Sequence, residues 1–320
     1  MQKVSIAGLC LKGGRKDNFF LCLLEDYEDG QRLFLKSLLQ VKDDQELDSG
    51  DQAITAWIEK FELKQMVVDF PQSLPLCQSC QLHCPGRERC PQSEVSDVRA
   101  RMEKLLADDQ ALMDLDPKDY ERRRLLAEEI DTSRDILQEP TDQPLLSRSF
   151  KRKLRKGYLP YWNRPLDLWI WCRAYDQMLK FFGQSYDSFG NSSLMLHFRF
   201  SYLKRHFPLQ LQLFESNIWL FLIELLRAKV VKKNQLSDLM DIELGAKARM
   251  ELLKTLEQAF SLFIYESDQE LLIRDPRAFQ SFLLGLAGWF HLHQHSYSLP
   301  AWAKPHECHF ILPAVPAAKK

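Results

Sequence analysis

Three apolar runs open the chain, at residues 3–11 (KVSIAGLCL), 19–27 (FFLCLLEDY) and 32–41 (RLFLKSLLQV), and only short segments separate them. A parallel pairing needs a crossover of a dozen or more residues. The short connections therefore favour an antiparallel meander of three strands. Residues 51–63 then place apolar side chains at 54, 57, 58 and 61, the spacing of one helical face, with Ser49 or Asp51 as a candidate N-cap. QMVVDF (65–70) is a compact fourth strand stopped by Pro71.

Beyond that point the pattern turns mostly helical. Residues 94–139 are dense in charge and predict two amphipathic helices broken at Asp116-Pro117. Helices are expected over 166–183, 193–206, 216–229, 246–262 and 276–293, with LQLFES (210–215) as a fifth strand. Trp169 and Trp171 stand two apart, so at most one is expected on the buried stripe of the first of these helices. Asp275 and Pro276 suit the N-cap and first position of the last. A chain of 320 residues with 45% hydrophobic side chains can bury a substantial core.

The order β-β-β-α-β-α-β-α is that of the ribonuclease H-like fold, and local sequence adds to it. AGLCL (7–11) is similar to a first strand of the form G-[IV]-D-L. VVDFPQSLP (67–75) resembles the I-D-x-P-x-S-L-P segment of a bacterial family of predicted nucleases with this fold, domain of unknown function 429. RPLD (164–167), QLFES (212–216) and AFQSFLLGLAGW (278–289) resemble that family's next helix opening, its strand ending in glutamate and its last helix. The resemblance implies an α/β (α+β) chain with a mixed five-stranded sheet. It also implies a carboxylate cluster that holds two Mg²⁺ or Mn²⁺ ions for phosphodiester cleavage.

Asp69 and Glu215 match two of those carboxylates, at the ends of neighbouring strands that would face one cleft. The first-strand aspartate falls on Cys10 and the last-helix aspartate on Gln280. Neither a thiol nor an amide supplies an anionic oxygen. The resemblance therefore leaves two readings: a divergent nuclease with a degenerate centre, or a non-catalytic nucleic-acid-binding or scaffold protein. A carboxylate arriving from Asp17, Glu25 or Asp275 would restore the first.

Four of the eight cysteines, Cys77, Cys80, Cys84 and Cys90, fall in CQSCQLHCPGRERC. In a reduced cytosol such a group reads as a metal site before it reads as disulfides. Four thiolates this close suit a structural Zn²⁺ or an iron–sulfur cluster, and spacing does not separate the two.

Residues 147–158 (SRSFKRKLRKGY) are strongly basic and run into aromatic residues. Lys151, Arg152, Lys153, Arg155 and Arg164 are the candidate contacts to a DNA or RNA backbone. The whole-chain charge of −1 excludes a globally basic binder. No run reaches 18 apolar residues, so no membrane span is expected. The opening residues lack a secretory pattern, and a cytoplasmic location is expected. No phosphate loop, H-E-x-x-H or G-x-S-x-G occurs. The expected organisation is 1–76 and 158–300 as the two halves of the core, 77–93 as the Cys-rich metal loop, 94–157 as a charged helical insertion with a basic linker, and 301–320 as a tail.

Overall fold

The computed structural model describes residues 3–11, 17–27, 32–42, 50–129, 145–189, 193–304 and 309–317. The chain divides into two compact units, one of residues 1–72, 190–297 and 309–320, the other of residues 73–189 and 298–308.

The first unit carries a mixed sheet. Strands β1 (Lys3–Cys10), β2 (Asn18–Tyr27) and β3 (Arg32–Lys42) form the antiparallel meander that the short connections favour. Helix α1 (Gly50–Lys60) leads to β4 (Gln65–Val68), which lies parallel to β1. Asp51 is not the N-cap of α1, since the helix already includes it; its carboxylate is held by Arg199 at 2.6 Å, and Ser49 lies outside the described residues.

The second unit is helical, with α2 (Leu76–Ser79), α3 (Ser93–Leu115), α4 (Pro117–Glu129), α5 (Arg148–Arg155) and α6 (Pro165–Phe182). The break between α3 and α4 falls where the sequence placed it. Asp116 accepts from the backbone N–H groups of Lys118 and Asp119 while Pro117 opens the next helix. The stretch read as a basic linker is the helix α5, because Phe150 and Leu154 recur four apart and are buried while Arg148, Arg152 and Arg155 are exposed. Trp169 and Trp171 are both buried, a correction to the expectation of one. Helix α6 is apolar nearly all round over 165–174, so it has no solvent face there to offer one of them.

Back in the first unit, α7 (Ser193–Leu203) precedes β5 (Gln212–Glu215), which adds parallel to β4. Helices α8 (Ile218–Arg227) and α9 (Gly245–Phe260) follow, then β6 (Leu262–Phe263), α10 (Glu266–Arg274) and α11 (Pro276–Leu292). Among the described residues the sheet therefore has six strands, β5-β4-β1-β2-β3-β6, and not five. The sixth is two residues long and pairs parallel to β3 through Leu33 and Phe34. Two residues hold no periodicity from which a strand can be read.

Side chains alternate across the sheet. Ala7, Leu9, Leu21, Leu23, Met66 and Val68 point to one face, where Ile54, Ile58, Leu196 and Phe200 from α1 and α7 close a core. The other face meets α11, whose Phe279, Phe282, Leu283, Leu286 and Phe290 are essentially inaccessible. Each such side chain contributes about 1.5–3 kcal/mol by leaving water. Helix and sheet approach to backbone contact at Gly8. A Cβ there would stand 2.0 Å from the Ser281 carbonyl oxygen and 2.2 Å from the Gly285 nitrogen. Asp275 caps α11 as expected, accepting from Arg277 N–H at 2.9 Å.

Candidate functional site

Asp69 follows the last residue of β4, and alternation turns it toward the α11 face. There its Oδ2 lies 3.6 Å from Cys10 Sγ. The Cys10 thiol donates to Gln280 Oε1 at 3.0 Å, and the Gln280 amide reaches Met240 Sδ at 3.2 Å. The three positions singled out by the sequence, 10, 69 and 280, thus meet. What they form is a chain of weak donors and acceptors that can carry one negative charge at most, on Asp69. Burial raises the Asp69 carboxyl to a pKa of about 7. Its Oδ1 is sealed from solvent and has no hydrogen-bond partner. Burial, and then the Asp69 charge, push the Cys10 thiol well above its ordinary range, so it stays protonated.

Glu215 does not join them. It pairs with Val68, and paired residues of a parallel ladder share a face, so Glu215 and Asp69 point to opposite sides of the sheet. The Glu215 carboxylate is buried and accepts the Gln72 backbone N–H at 2.9 Å. The single cleft expected for the two carboxylates is corrected by this one-residue offset in register.

Other carboxylates are also engaged elsewhere. Asp17 makes a two-pronged contact with Arg199 at 2.7 and 2.9 Å. Glu25 accepts from Lys3 and Tyr27. Asp275, whose charge reaches Cys10, is held by Arg277 and by its own cap bond. Among the described residues no three His, Cys, Asp or Glu side chains gather as ion ligands. One half-protonated carboxyl beside a thiol and an amide does not fit a pair of hard divalent cations, which need several anionic oxygens.

The cysteine loop lies in the helical unit. Cys77, Cys80 and Cys90 are half-buried, Cys84 is exposed, and all four are free thiols. The Cys77 thiol is pushed up first by burial and then by the charges of Cys90, Cys84 and Cys80, so those three lie within electrostatic reach of it. They are not drawn close enough to share an ion. Arg87 pairs with Glu88 at 2.9 Å, and Arg99 binds the same carboxylate at 2.7 Å.

The basic stretch separates into two sets. Lys151 is tied to Asp109 at 2.7 Å and to the Tyr120 hydroxyl at 2.8 Å. Lys153 pairs with Asp187 at 2.7 Å and lies over the Trp171 ring. Arg164 is 1% exposed and donates to Ser188, Ser73 and Tyr186. These three candidates for nucleic-acid contact are therefore engaged inside the protein, and Arg164 is out of solvent's reach. Asp167, the last residue of RPLD, accepts from Asn163 and from the Ser188 hydroxyl beside Arg164. Burial raises its pKa to about 6 even so. Only Arg152 and Arg155 of the five remain exposed.

The arrangement as a whole cannot be assigned by likeness. Comparison with protein families, with curated proteins and with solved structures finds no match. Among the described residues no helix is long and apolar enough to cross a membrane.

Proposed function

We propose that this chain is a ribonuclease H-like protein whose nuclease centre is retired and which binds nucleic acid without cutting it. The strand order supports the fold: three antiparallel strands, then β4 and β5 added in parallel beside β1. The observation that carries the retirement is the hydrogen bond from Cys10 to Gln280 at 3.0 Å. It fills, beside Asp69, the ground where the resembled nucleases carry two carboxylates. Two-metal cleavage needs fixed negative charge to hold the ions that activate water. Here the charge is titrated away near neutrality. The exposed guanidinium groups of Arg152 and Arg155 supply the surface for phosphate contact.

A gel with single-stranded, duplex and branched DNA and RNA in Mn²⁺, run beside Asp69→Asn, tests the reading. The expected result is a shifted, intact band for both proteins. Cleavage by the native protein but not by the variant would overturn it.

The cysteine loop is proposed as a structural zinc site, with an iron–sulfur cluster as the alternative. Its support is the four free thiols of one short loop, three of them within electrostatic reach of Cys77; the loop would have to draw together on the ion to complete the site. Protein purified without chelator should carry about one zinc (or the iron of one cluster) per chain, and Cys80→Ser should lose it with a lower Tm. Equal metal content in the two proteins would remove the site.

A further inference from the structure

We infer that a pocket between α4 and α5 in the helical unit is a binding site for two or more adjacent phosphate groups. The pocket has a volume of about 380 Å³ and is walled by Arg124, Arg148, Lys151, Arg152 and Arg155, with Glu121 as the one carboxylate in its lining among the described residues. Asp109 lies beneath Lys151. Among the described residues five cations therefore face two carboxylates, and the excess charge is concentrated in one concavity. The chain as a whole is nearly neutral, so the concentration is local.

The cations divide into those that are held and those that are free to bind. Arg124 is 4% exposed and donates to Glu121 through Nε at 2.9 Å and through a terminal nitrogen at 2.7 Å. Lys151 is fixed by Asp109 and Tyr120. These two are positioned before any ligand arrives, so ordering them costs nothing on binding. Arg148 reaches Glu121 only at 3.6 Å and is largely exposed.

Arg152 and Arg155 make no ion pair among the described residues. With Arg148 they lie at i, i+4 and i+7 of α5, on one face of the helix. Phe150 and Leu154, on its other face, are buried and hold it in place. A guanidinium presents a planar fork that matches two oxygens of one phosphate. Two unpaired forks a helical turn apart, above two preset cations, suit neighbouring phosphates better than a single one.

The ligand chemistry has two sources, a soluble polyphosphate and the sugar–phosphate backbone of a nucleic acid. The second source rests on the function proposed above; the first does not. The probes are tripolyphosphate, followed by titration calorimetry, and a fluorescein-labelled twelve-nucleotide single strand, followed by anisotropy. The variants are Arg152→Ala/Arg155→Ala and Arg152→Lys/Arg155→Lys. Both residues are exposed and unpaired, so circular dichroism and Tm should match the native protein.

The alanine pair is expected to weaken tripolyphosphate binding by about tenfold or more, and the lysine pair should restore only part of it. For the single-stranded oligonucleotide, the slope of log affinity against log salt should fall by about 1.4, two contacts at about 0.7 each. Tripolyphosphate binding without oligonucleotide binding would sustain the pocket and remove the nucleic-acid reading. Oligonucleotide binding that the alanine pair leaves unchanged would overturn the nucleic-acid surface placed on Arg152 and Arg155, and tripolyphosphate binding left unchanged by it would overturn the pocket. No binding of tripolyphosphate by the native protein would also overturn it.

Discussion

Replacing Asp69 with asparagine tests the electrostatics of the centre directly. In the native protein the buried carboxyl titrates at about 7, whereas in the unfolded chain an aspartate titrates at about 3.9. A carboxyl whose folded pKa is raised destabilises the fold in its charged form. The loss begins as pH rises past the unfolded value and is complete above the folded one. With 1.36 kcal/mol per pKa unit, the native protein gives up about 1.5 kcal/mol by pH 5 and about 4 kcal/mol by pH 8.

Asparagine keeps the shape and never ionises. The stability difference, variant minus native, should therefore rise by about 2–3 kcal/mol between pH 5 and pH 8 in favour of Asp69→Asn. Urea unfolding curves collected at half-unit intervals of pH, followed by circular dichroism, measure it. Other titrating groups change both proteins alike and cancel in the difference. A difference that stays flat, or that falls with pH, would mean that Asp69 is ionised and stabilised in the folded protein. The account of the retired centre would then be wrong at its root.

Two further substitutions probe the frame around the sites. Gly8→Ala places a methyl group against the backbone of α11 and should cost at least about 3 kcal/mol, read as a lost soluble fold or a sharply lower Tm; a Tm within a degree or two of native would refute the close approach. Arg164→Ala leaves Asp167 buried without its cation and should cost about 3–5 kcal/mol. Adding Asp167→Asn should recover part of that loss in thermal unfolding, and no recovery would show that Arg164 acts by packing alone.

The meander was legible because three apolar runs sit too close in sequence for anything but hairpins, and β4 because a short apolar run, Met66 to Val68, is followed three residues on by Pro71. The positions that meet around Asp69 were legible only through resemblance. Nothing in the spacing of Cys10, Asp69 and Gln280 brings them together; the parallel pairing of β1 with β4 does. Glu215 shows the opposite case. Its place at the end of β5 could be read, but its face depends on whether it pairs with Val68 or with Asp69, and one residue of register decides that.

The basic stretch was misread in part for a similar reason. Charge is visible in sequence, but the carboxylates that absorb it are not adjacent. Asp109 stands 42 positions before Lys151, and Asp187 stands 34 after Lys153. Arg124, which preorganises the pocket, sits in a run of three arginines on a charged helix and carries no periodic mark of being buried.

The contact at Gly8 behaves as a keyed joint. Because backbone meets backbone there, α11 can neither slide along the sheet nor roll upon it without a steric collision, and every residue on its inner face inherits a fixed depth. Cys10 lies two residues beyond the key on the strand, and Gln280 lies one residue before its mate Ser281 on the helix. The space between them is therefore a rigid slot rather than an adaptable one. Carboxylates placed at both positions could not retreat from Asp69 or from each other. A bound cation or a proton would relieve their repulsion, so a chain altered in that way should gain stability from divalent metal at a pH where the carboxyls would otherwise ionise.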